Sequence, residues 1–163
     1  MELARFGELA VFPEDAEIPV GVVARLWKIT GGLADFETED GLIRLFDLSL
    51  LLDLDLGQRF FRLHDTTRHF LRDQAGKEGL VAQHKQLVAA LDGAENAETD
   101  ARTRRYYYLY LPHHLAEANE RARLDAAGSR RSSKQSRTRR RWSPTIGSTA
   151  SARRKASLAG LCD

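Results

Sequence analysis

Leu63, His64 and Asp65 are the residues of this chain whose types and order best suit chemistry. They follow a short apolar segment and precede a basic, amphipathic one, which places them where a strand ends and a helix begins. Unpaired backbone N–H groups at a helix N-terminus favour an anion, so the His64 imidazole can donate a hydrogen bond to a phosphate oxygen there. Protonation of the ring would strengthen that bond. We expect Asp65 to cap the helix and orient the ring; the alternative is that His64 only packs at this junction.

Two arginines, Arg68 and Arg72, follow on the same predicted helix. They are one and two turns beyond His64, and they could steer toward the same phosphates. Arginines beside an acid such as Asp73 more often form a solvated helix face, and we favour that interpretation.

Two other groups of polar residues have types that occur in catalytic and metal sites. Glu14, Asp15 and Glu17 could act as paired carboxylates, but consecutive acids on a turn are usually solvated, and we expect no catalysis there. His113 and His114 are adjacent, so on a helix they point in different directions. Because metal-binding histidine pairs on helices normally stand four residues apart, we expect no joint metal site at this pair.

Aromatic residues have two predicted uses. Tyr106 to Tyr108, beside Arg104 and Arg105, could stack on nucleic-acid bases, but packing between helices is the use we favour. Trp27 is expected to close a small core.

The sequence lacks the parts that an ATP-hydrolysing site needs. It has no GxxxxGK[ST] phosphate loop, no apolar strand ending in Asp-Asp for Mg²⁺, and no Ser or Cys nucleophile in a recognisable setting. The single Cys162 excludes an internal disulfide and any CxxC metal site. We therefore expect a protein that is not an enzyme, with no catalytic residue, no metal ligand and no cofactor held by this chain alone.

The charge is divided unevenly along the chain. Residues 1–127 carry 15 Lys and Arg against 22 Asp and Glu, a net charge of −7, whereas residues 128–163 carry 10 against one, a net charge of +9. Such asymmetry indicates a folded body and a tail with a different role. No apolar run approaches the roughly 20 residues that span a bilayer, and the N-terminus does not resemble a signal peptide. We expect a cytoplasmic protein.

The elements before His64 are predicted from apolar spacing and turn residues. Residues 10–12 predict a short buried strand, and Pro19 suits the first turn of a helix that ends at Gly31 and Gly32. Thr38 is the expected N-cap of a second helix. Two strands, residues 48–54 and 59–63, then form a hairpin, in which Gly57 is expected to supply a positive φ.

The part beyond His64 is predicted to be helical. Gly76 and Gly79 flank a boundary within it, and Pro112 separates its last two helices. The helical spacing covers residues 80–91, 102–111 and 113–124. We predict an α+β, mostly α fold: a winged helix of three helices and a hairpin wing in residues 1–76, a solenoid-like helical arm in 77–127, and a disordered basic tail in 128–163.

Four sequence segments resemble one protein family. LAVFPED, LW, LHD and YLYLPHHLAEAN are similar to the winged-helix and helical-arm motifs of the NB-ARC, or STAND, signal-transduction ATPases, which include apoptosome and plant-resistance ATPases. The resemblance covers about residues 3 to 126. Where the family would continue its arm, residues 128–163 are rich in Arg and Ser, and we hypothesise that this tail is translated out of frame.

This resemblance implies a regulatory role without catalysis. In such a protein His64 would hydrogen-bond the β-phosphate of ADP, and the nucleotide, ADP or ATP, would be held mostly by a separate nucleotide-binding domain. The implied partners are that domain and a WD40 or TPR-type repeat sensor. Two alternatives remain open: a winged-helix nucleic-acid-binding protein with a basic tail, and a protein–protein adaptor. The acidic second helix, with Arg44 among Glu37, Glu39, Asp40 and Asp47, disfavours the first of these.

Overall fold

The computed structural model describes residues 3–120 and 123, and these form a mostly helical α+β fold with a small three-stranded antiparallel sheet. The strand order is β1-β3-β2, so β3 is central. The elements in chain order are α1 (Leu3–Gly7), a 3₁₀ helix (Glu8–Val11), β1 (Ile18–Pro19), α2 (Val20–Gly31), α3 (Asp35–Asp47), β2 (Leu51–Asp55), β3 (Phe60–Leu63), α4 (Asp65–Ala90) and α5 (Ala101–Glu117).

The N-terminal segment is helical where the sequence predicted a strand. Ala10 and Val11 belong to the 3₁₀ helix Glu8–Val11, and only Phe12 after it is extended. The edge of the sheet is instead taken by Ile18, which pairs with Phe61. Residues 9–12 are all fully buried. A short apolar run is compatible with either a buried strand or a buried helical turn, and periodicity alone does not separate the two.

The predicted end of α2 is confirmed, whereas the predicted start of α3 is wrong. Gly32 ends α2 with a φ of 68°, as the Gly-Gly pair predicted. The prediction of Thr38 as N-cap of α3 is wrong, because α3 begins at Asp35 after Ala34. Glu37 accepts a hydrogen bond from the Ala34 N–H at 2.8 Å and satisfies that end of the helix. Thr38 is fully buried within the helix, where its hydroxyl donates to the Ala34 carbonyl.

The hairpin forms as predicted, but its turn uses a different residue for the left-handed conformation. The Asp55 carboxylate accepts a hydrogen bond from the Gln58 N–H at 2.7 Å and closes the turn. The positive φ, 59°, falls at Arg59, the last residue before β3, and not at Gly57. Arg59 is held there by an ion pair with Glu39 of α3 at 2.8 Å and by the Val20 N–H, which donates to its carbonyl.

The predicted boundary in the helical part falls at a kink within α4. Gly76 has φ 62° and ψ 179°, which interrupts the helix between its two straight parts. The prediction of two helices separated by Pro112 is wrong: α5 runs from Ala101 to Glu117 with Pro112 inside it. Proline removes one backbone hydrogen bond from a helix interior. Burial of His114 and Leu115 in the following turn keeps the helix continuous across that gap.

One apolar cluster joins the two parts of the chain that the sequence separated at residue 76. Trp27 is fully buried in it, as predicted, with Phe61 from the central strand. Leu87 near the end of α4, Leu91 directly after it and Tyr106 from α5 belong to the same cluster. The helices after the kink therefore pack on the winged helix itself. Within the described residues, no helix is long and apolar enough to cross a membrane. The tail predicted in residues 128–163 lies outside the described residues.

Candidate functional site

His64 lies between the central strand and the longest helix. It is the N-cap residue of α4, with an extended backbone, and its carbonyl accepts the Arg68 N–H at 2.9 Å. Leu63 before it is buried and pairs with Leu51 of β2, which fixes the point where the chain leaves the sheet. The His64 ring is half-buried, and it has no side-chain hydrogen bond within the described part of the chain.

Asp65 does not play the predicted capping role. It is the first residue of α4, and the N-cap position belongs to His64, which makes no side-chain capping bond. A carboxylate in the first turn still interacts favourably with the helix dipole, but it cannot fold back as an N-cap does. The first-turn N–H groups of α4 therefore lack the side-chain acceptor that the sequence predicted.

The two arginines after His64 are committed to the N-terminal segment. Arg68 donates through Nε to the Phe12 carbonyl at 2.8 Å, and Arg72 donates through Nη1 to the Ala10 carbonyl at 3.3 Å. A longer ion pair joins Arg68 to Glu14 at 3.6 Å. These bonds correct the interpretation of a solvated face, whereas the phosphate contact stays a prediction. The arginines instead hold the buried 3₁₀ segment against α4.

The acidic turn forms ion pairs that connect distant elements. Glu17 accepts from Arg62 of β3 at 2.9 Å and from Arg102 of α5 at 3.2 Å. The hydrogen bond from Arg62 is the main reason why the pKa of Glu17 is lowered. Asp15 takes a left-handed conformation with φ 55°. The turn thus links the sheet to α5 through charge pairs.

Three histidines meet between α4 and α5, a proximity that the sequence did not predict. One nitrogen from each of His84, His113 and His114 lies within 4.8 Å of the others. The His84 and His114 rings are fully buried with their Nδ1 atoms 3.1 Å apart, and His113 is exposed. The expectation of no joint metal site at His113 and His114 considered only the two side chains of α5. Sequence reasoning missed His84, because the spacing of residues within α5 does not reveal a ring that α4 contributes.

Burial and a tyrosine determine the state of these rings. Desolvation lowers the pKa of His84 to about 4 and that of His114 to about 2, with neighbouring positive charge as a smaller cause, so both are neutral at pH 7. Burial also raises the pKa of Tyr106 well above its usual value, and its hydroxyl lies 2.8 Å from Nε2 of His114. We assign the hydroxyl as donor to this nitrogen. Nε2 of His84 is buried and has no partner in the part of the chain that the structure describes.

Tyr106 is unavailable for the base stacking considered from the sequence. Its side chain is 2 % exposed and stacks on the His114 ring at a centroid separation of 5.8 Å. Tyr110 packs beside it, with ring centroids 4.7 Å apart. These two contacts lie within α5, and Tyr106 also packs edge-on against Phe12 with ring centroids 6.1 Å apart. Burial of Tyr106 in the shared apolar cluster agrees with the packing use that the sequence favoured.

A scan against protein-family models and a search of curated proteins both find no match for this chain.

Proposed function

We propose that this chain is the winged-helix and helical-arm part of a STAND-type signal-transduction ATPase, without catalytic activity of its own. In this proposal His64 donates a hydrogen bond to the β-phosphate of ADP that a separate nucleotide-binding domain holds. The observation that carries the proposal is the position of His64 at the N-cap of α4, directly after the central strand of the wing. Its imidazole is half-buried and has no side-chain hydrogen bond to any described residue.

The local electrostatics support an anionic ligand at this position. The first N–H groups of α4 carry the positive end of the helix dipole, and no side chain caps them. A phosphate oxygen placed beside His64 would meet both the imidazole N–H and this end of the helix. Because Arg68 and Arg72 donate hydrogen bonds to carbonyls of the N-terminal segment, we assign only the His64 ring to the phosphate.

The course of α4 supports a coupling role. A contact at His64 acts on the residue that directly precedes α4. The far end of this helix, at Leu87 and the following Leu91, belongs to the shared apolar cluster. Exchange of ADP for ATP would remove the phosphate contact and allow the winged helix and arm to take a second position relative to the nucleotide domain. A ligand shifts such an equilibrium only by its differential contacts with the two states. His64 would supply that difference.

An apolar face on α3 supports a protein partner. Phe36, Ile43 and Phe46 lie on one side of the helix and are 67 %, 37 % and 43 % exposed. Leu48, just after the helix, is 69 % exposed. Contiguous exposed apolar side chains mark protein interaction surfaces. We assign this face to contact with the nucleotide-binding domain of the intact protein.

The experiment that tests the proposal uses an intact STAND ATPase that carries this winged helix. Replacing His64 by Ala should release bound ADP at least about 10-fold faster, since a charge-assisted hydrogen bond contributes roughly 1.5–3 kcal/mol. His69→Ala is the matched control, because His69 is exposed one turn further along α4 and its Nδ1 lies 2.8 Å from the Asp65 carbonyl. Equal ADP release from the wild type and the His64 variant would overturn the role of His64.

The second candidate function, nucleic-acid binding, is favoured only by the tail charge of +9 in residues 128–163. Such binding would be insensitive to sequence and would weaken steeply with salt. The acidic residues of α3 argue against its use as a recognition helix. A gel shift with and without residues 128–163 tests this function, because tail-driven binding expects a salt-sensitive shift of the full chain that is lost when residues 128–163 are removed.

A further inference from the structure

We propose that His84, His113 and His114 form a binding site for a divalent transition-metal ion of the Zn²⁺ class, connecting α4 to α5. This site is separate from His64, and it does not depend on the nucleotide role proposed above. The donor set decides the class of metal: three imidazoles favour Zn²⁺, Cu²⁺, Ni²⁺ or Co²⁺ over Mg²⁺ and Ca²⁺, which prefer oxygen ligands.

The distances are close to those that a metal site requires. Imidazole nitrogens bind Zn²⁺ at about 2.0–2.1 Å, so two of them in a tetrahedral site stand roughly 3.3 Å apart. The Nδ1 atoms of His84 and His114 are 3.1 Å apart, and all three rings offer a nitrogen within 4.8 Å of the others. Little movement of the exposed His113 ring would complete the set. Three protein ligands leave a fourth position for water.

Two features of the buried rings point to a ligand. Within the described residues Nε2 of His84 is buried without a hydrogen-bond partner, so Nδ1, which faces the His114 ring, is the nitrogen of His84 that is placed to act as a ligand. The Tyr106 hydroxyl lies 2.8 Å from Nε2 of His114, and such a contact to the far ring nitrogen fixes the orientation of a metal-binding histidine. Binding of Nδ1 of His114 to the metal would move the ring proton to Nε2, and Nε2–H would then donate to the Tyr106 hydroxyl, the reverse of the bond assigned in the metal-free chain. Tyr106 is therefore a positioning residue of the site.

The charge state of the cluster permits a cation. Metal ligands must be unprotonated, and both inner rings are fully buried, an environment that disfavours the charged form of an imidazole. Besides His113, Arg72 acts electrostatically on His84, and its positive charge would weaken binding of a cation. Its Nη1 is engaged by the Ala10 carbonyl, which holds the guanidinium in a fixed position. Exposure of His113 provides the route by which an ion enters.

The test uses the full chain after treatment with a chelator, titrated with Zn²⁺ by calorimetry and with Co²⁺ by visible absorption. We expect one ion per chain, with the strong Co²⁺ absorption of a four-coordinate site that Zn²⁺ then abolishes. His113→Ala is the main variant, because this side chain is exposed and its loss spares the core. The affinity of this variant for Zn²⁺ should fall by at least about 10-fold, because even the loss of a residue that only hydrogen-bonds to a metal ligand lowers metal affinity by about that factor. Tyr106→Phe should weaken binding while the bands of a four-coordinate Co²⁺ site remain.

The controls use the other metal-binding side chains of the sequence. The five histidines include His64 and His69, which lie outside the cluster, and the single cysteine is Cys162. The double variant His64→Ala/His69→Ala and the variant Cys162→Ser should bind as the wild type does. Zn²⁺ should also raise the Tm of the wild type and leave that of His113→Ala almost unchanged. Unaltered affinity in His113→Ala, or loss of binding in either control, would overturn the site, as would the absence of binding by the wild type.

Discussion

The hydroxyl of Tyr106 lies 2.8 Å from Nε2 of His114, two buried groups that stand eight residues apart on α5. This contact is the first link of a polar chain that continues through the Nδ1 atoms of His114 and His84 and so crosses from α5 to α4. Polar groups in an apolar core stabilise a fold only when their hydrogen bonds are satisfied. This series of polar contacts ends at Nε2 of His84, which has no partner within the described residues. The chain of rings is therefore sensitive to the loss of any member.

Removal of the Tyr106 hydroxyl should destabilise the protein. In Tyr106→Phe the ring and its packing remain, but Nε2 of His114 is left buried without a partner. The expected loss is about 1–3 kcal/mol in the free energy of unfolding, measured by urea denaturation in metal-free protein. Tyr110→Phe is the matched control, since Tyr110 is half-buried beside the same ring, and a change within about 0.5 kcal/mol is expected there. Equal effects of the two substitutions would show that the hydroxyl of Tyr106 is not a significant partner.

Acid should destabilise the fold through the same rings. The pKa of His84 is about 4 and that of His114 about 2 in the folded chain, below the ordinary value of 6.5. The unfolded chain therefore binds protons first as the pH falls below 6.5, so the stabilisation is present above that pH and is lost toward the folded values. We expect the free energy of unfolding to fall by on the order of 2 kcal/mol or more between pH 7 and pH 5 in metal-free protein.

The variant that checks this pH dependence is His84→Gln. It removes one of the two rings and should flatten the profile of unfolding free energy between pH 7 and pH 5. His69→Ala should leave the profile as it is, because His69 is exposed. A wild-type profile that is level over this range would contradict the burial of two neutral imidazoles.

The start of α5 should depend on a capping carboxylate, whereas the start of α4 should not. Asp100 accepts a hydrogen bond from the Thr103 N–H at 2.9 Å, so Asp100→Ala should cost about 1 kcal/mol of unfolding free energy. Asp65→Ala is the comparison, because Asp65 follows the N-cap position and caps nothing. Its loss should cost only a few tenths of a kcal/mol through the helix dipole. Thermal or urea unfolding of both variants measures the difference, and a reversed order would restore the capping role predicted for Asp65.

The sequence predicted the helices and the hairpin because their apolar spacing and turn residues act locally. Gly32 illustrates this, since a left-handed helix end needs little more than glycine. Residues 10–12 were predicted wrongly because a short buried run takes its conformation from its neighbours, and here Ile18 occupies the strand position. Local signals also failed at Pro112, where burial of the next turn outweighs the helix-breaking tendency of proline.

The candidate site was predictable only in part, for a similar reason. His64 lies at the predicted place because strand and helix signals adjoin it in the sequence. The histidine cluster requires knowledge of how α4 packs on α5, since His84 and His114 are 30 residues apart. The partners of Arg68 and Arg72 likewise lie in the N-terminal segment. Contacts between elements that are distant in the sequence leave no periodic signal within either element.

The kink in α4 should be the position where glycine is required. Gly76 has φ 62° and ψ 179°, a conformation that essentially only glycine adopts. Gly76→Ala should therefore cost about 1–3 kcal/mol of unfolding free energy. This loss is expected even though a Cβ at residue 76 would contact nothing within 4 Å among the described residues. Gly79 is the matched control, because it lies three residues further in regular helix, where a Cβ would make an ordinary contact of 3.5 Å. Gly79→Ala should stabilise the helix by up to about 1 kcal/mol. Urea denaturation measures the change in unfolding free energy of both variants. A loss in Gly76→Ala together with a gain in Gly79→Ala would show that backbone strain, and not a steric clash of the added Cβ, causes the loss. If both substitutions stabilised the protein, the left-handed conformation of Gly76 and the kink in α4 would be contradicted.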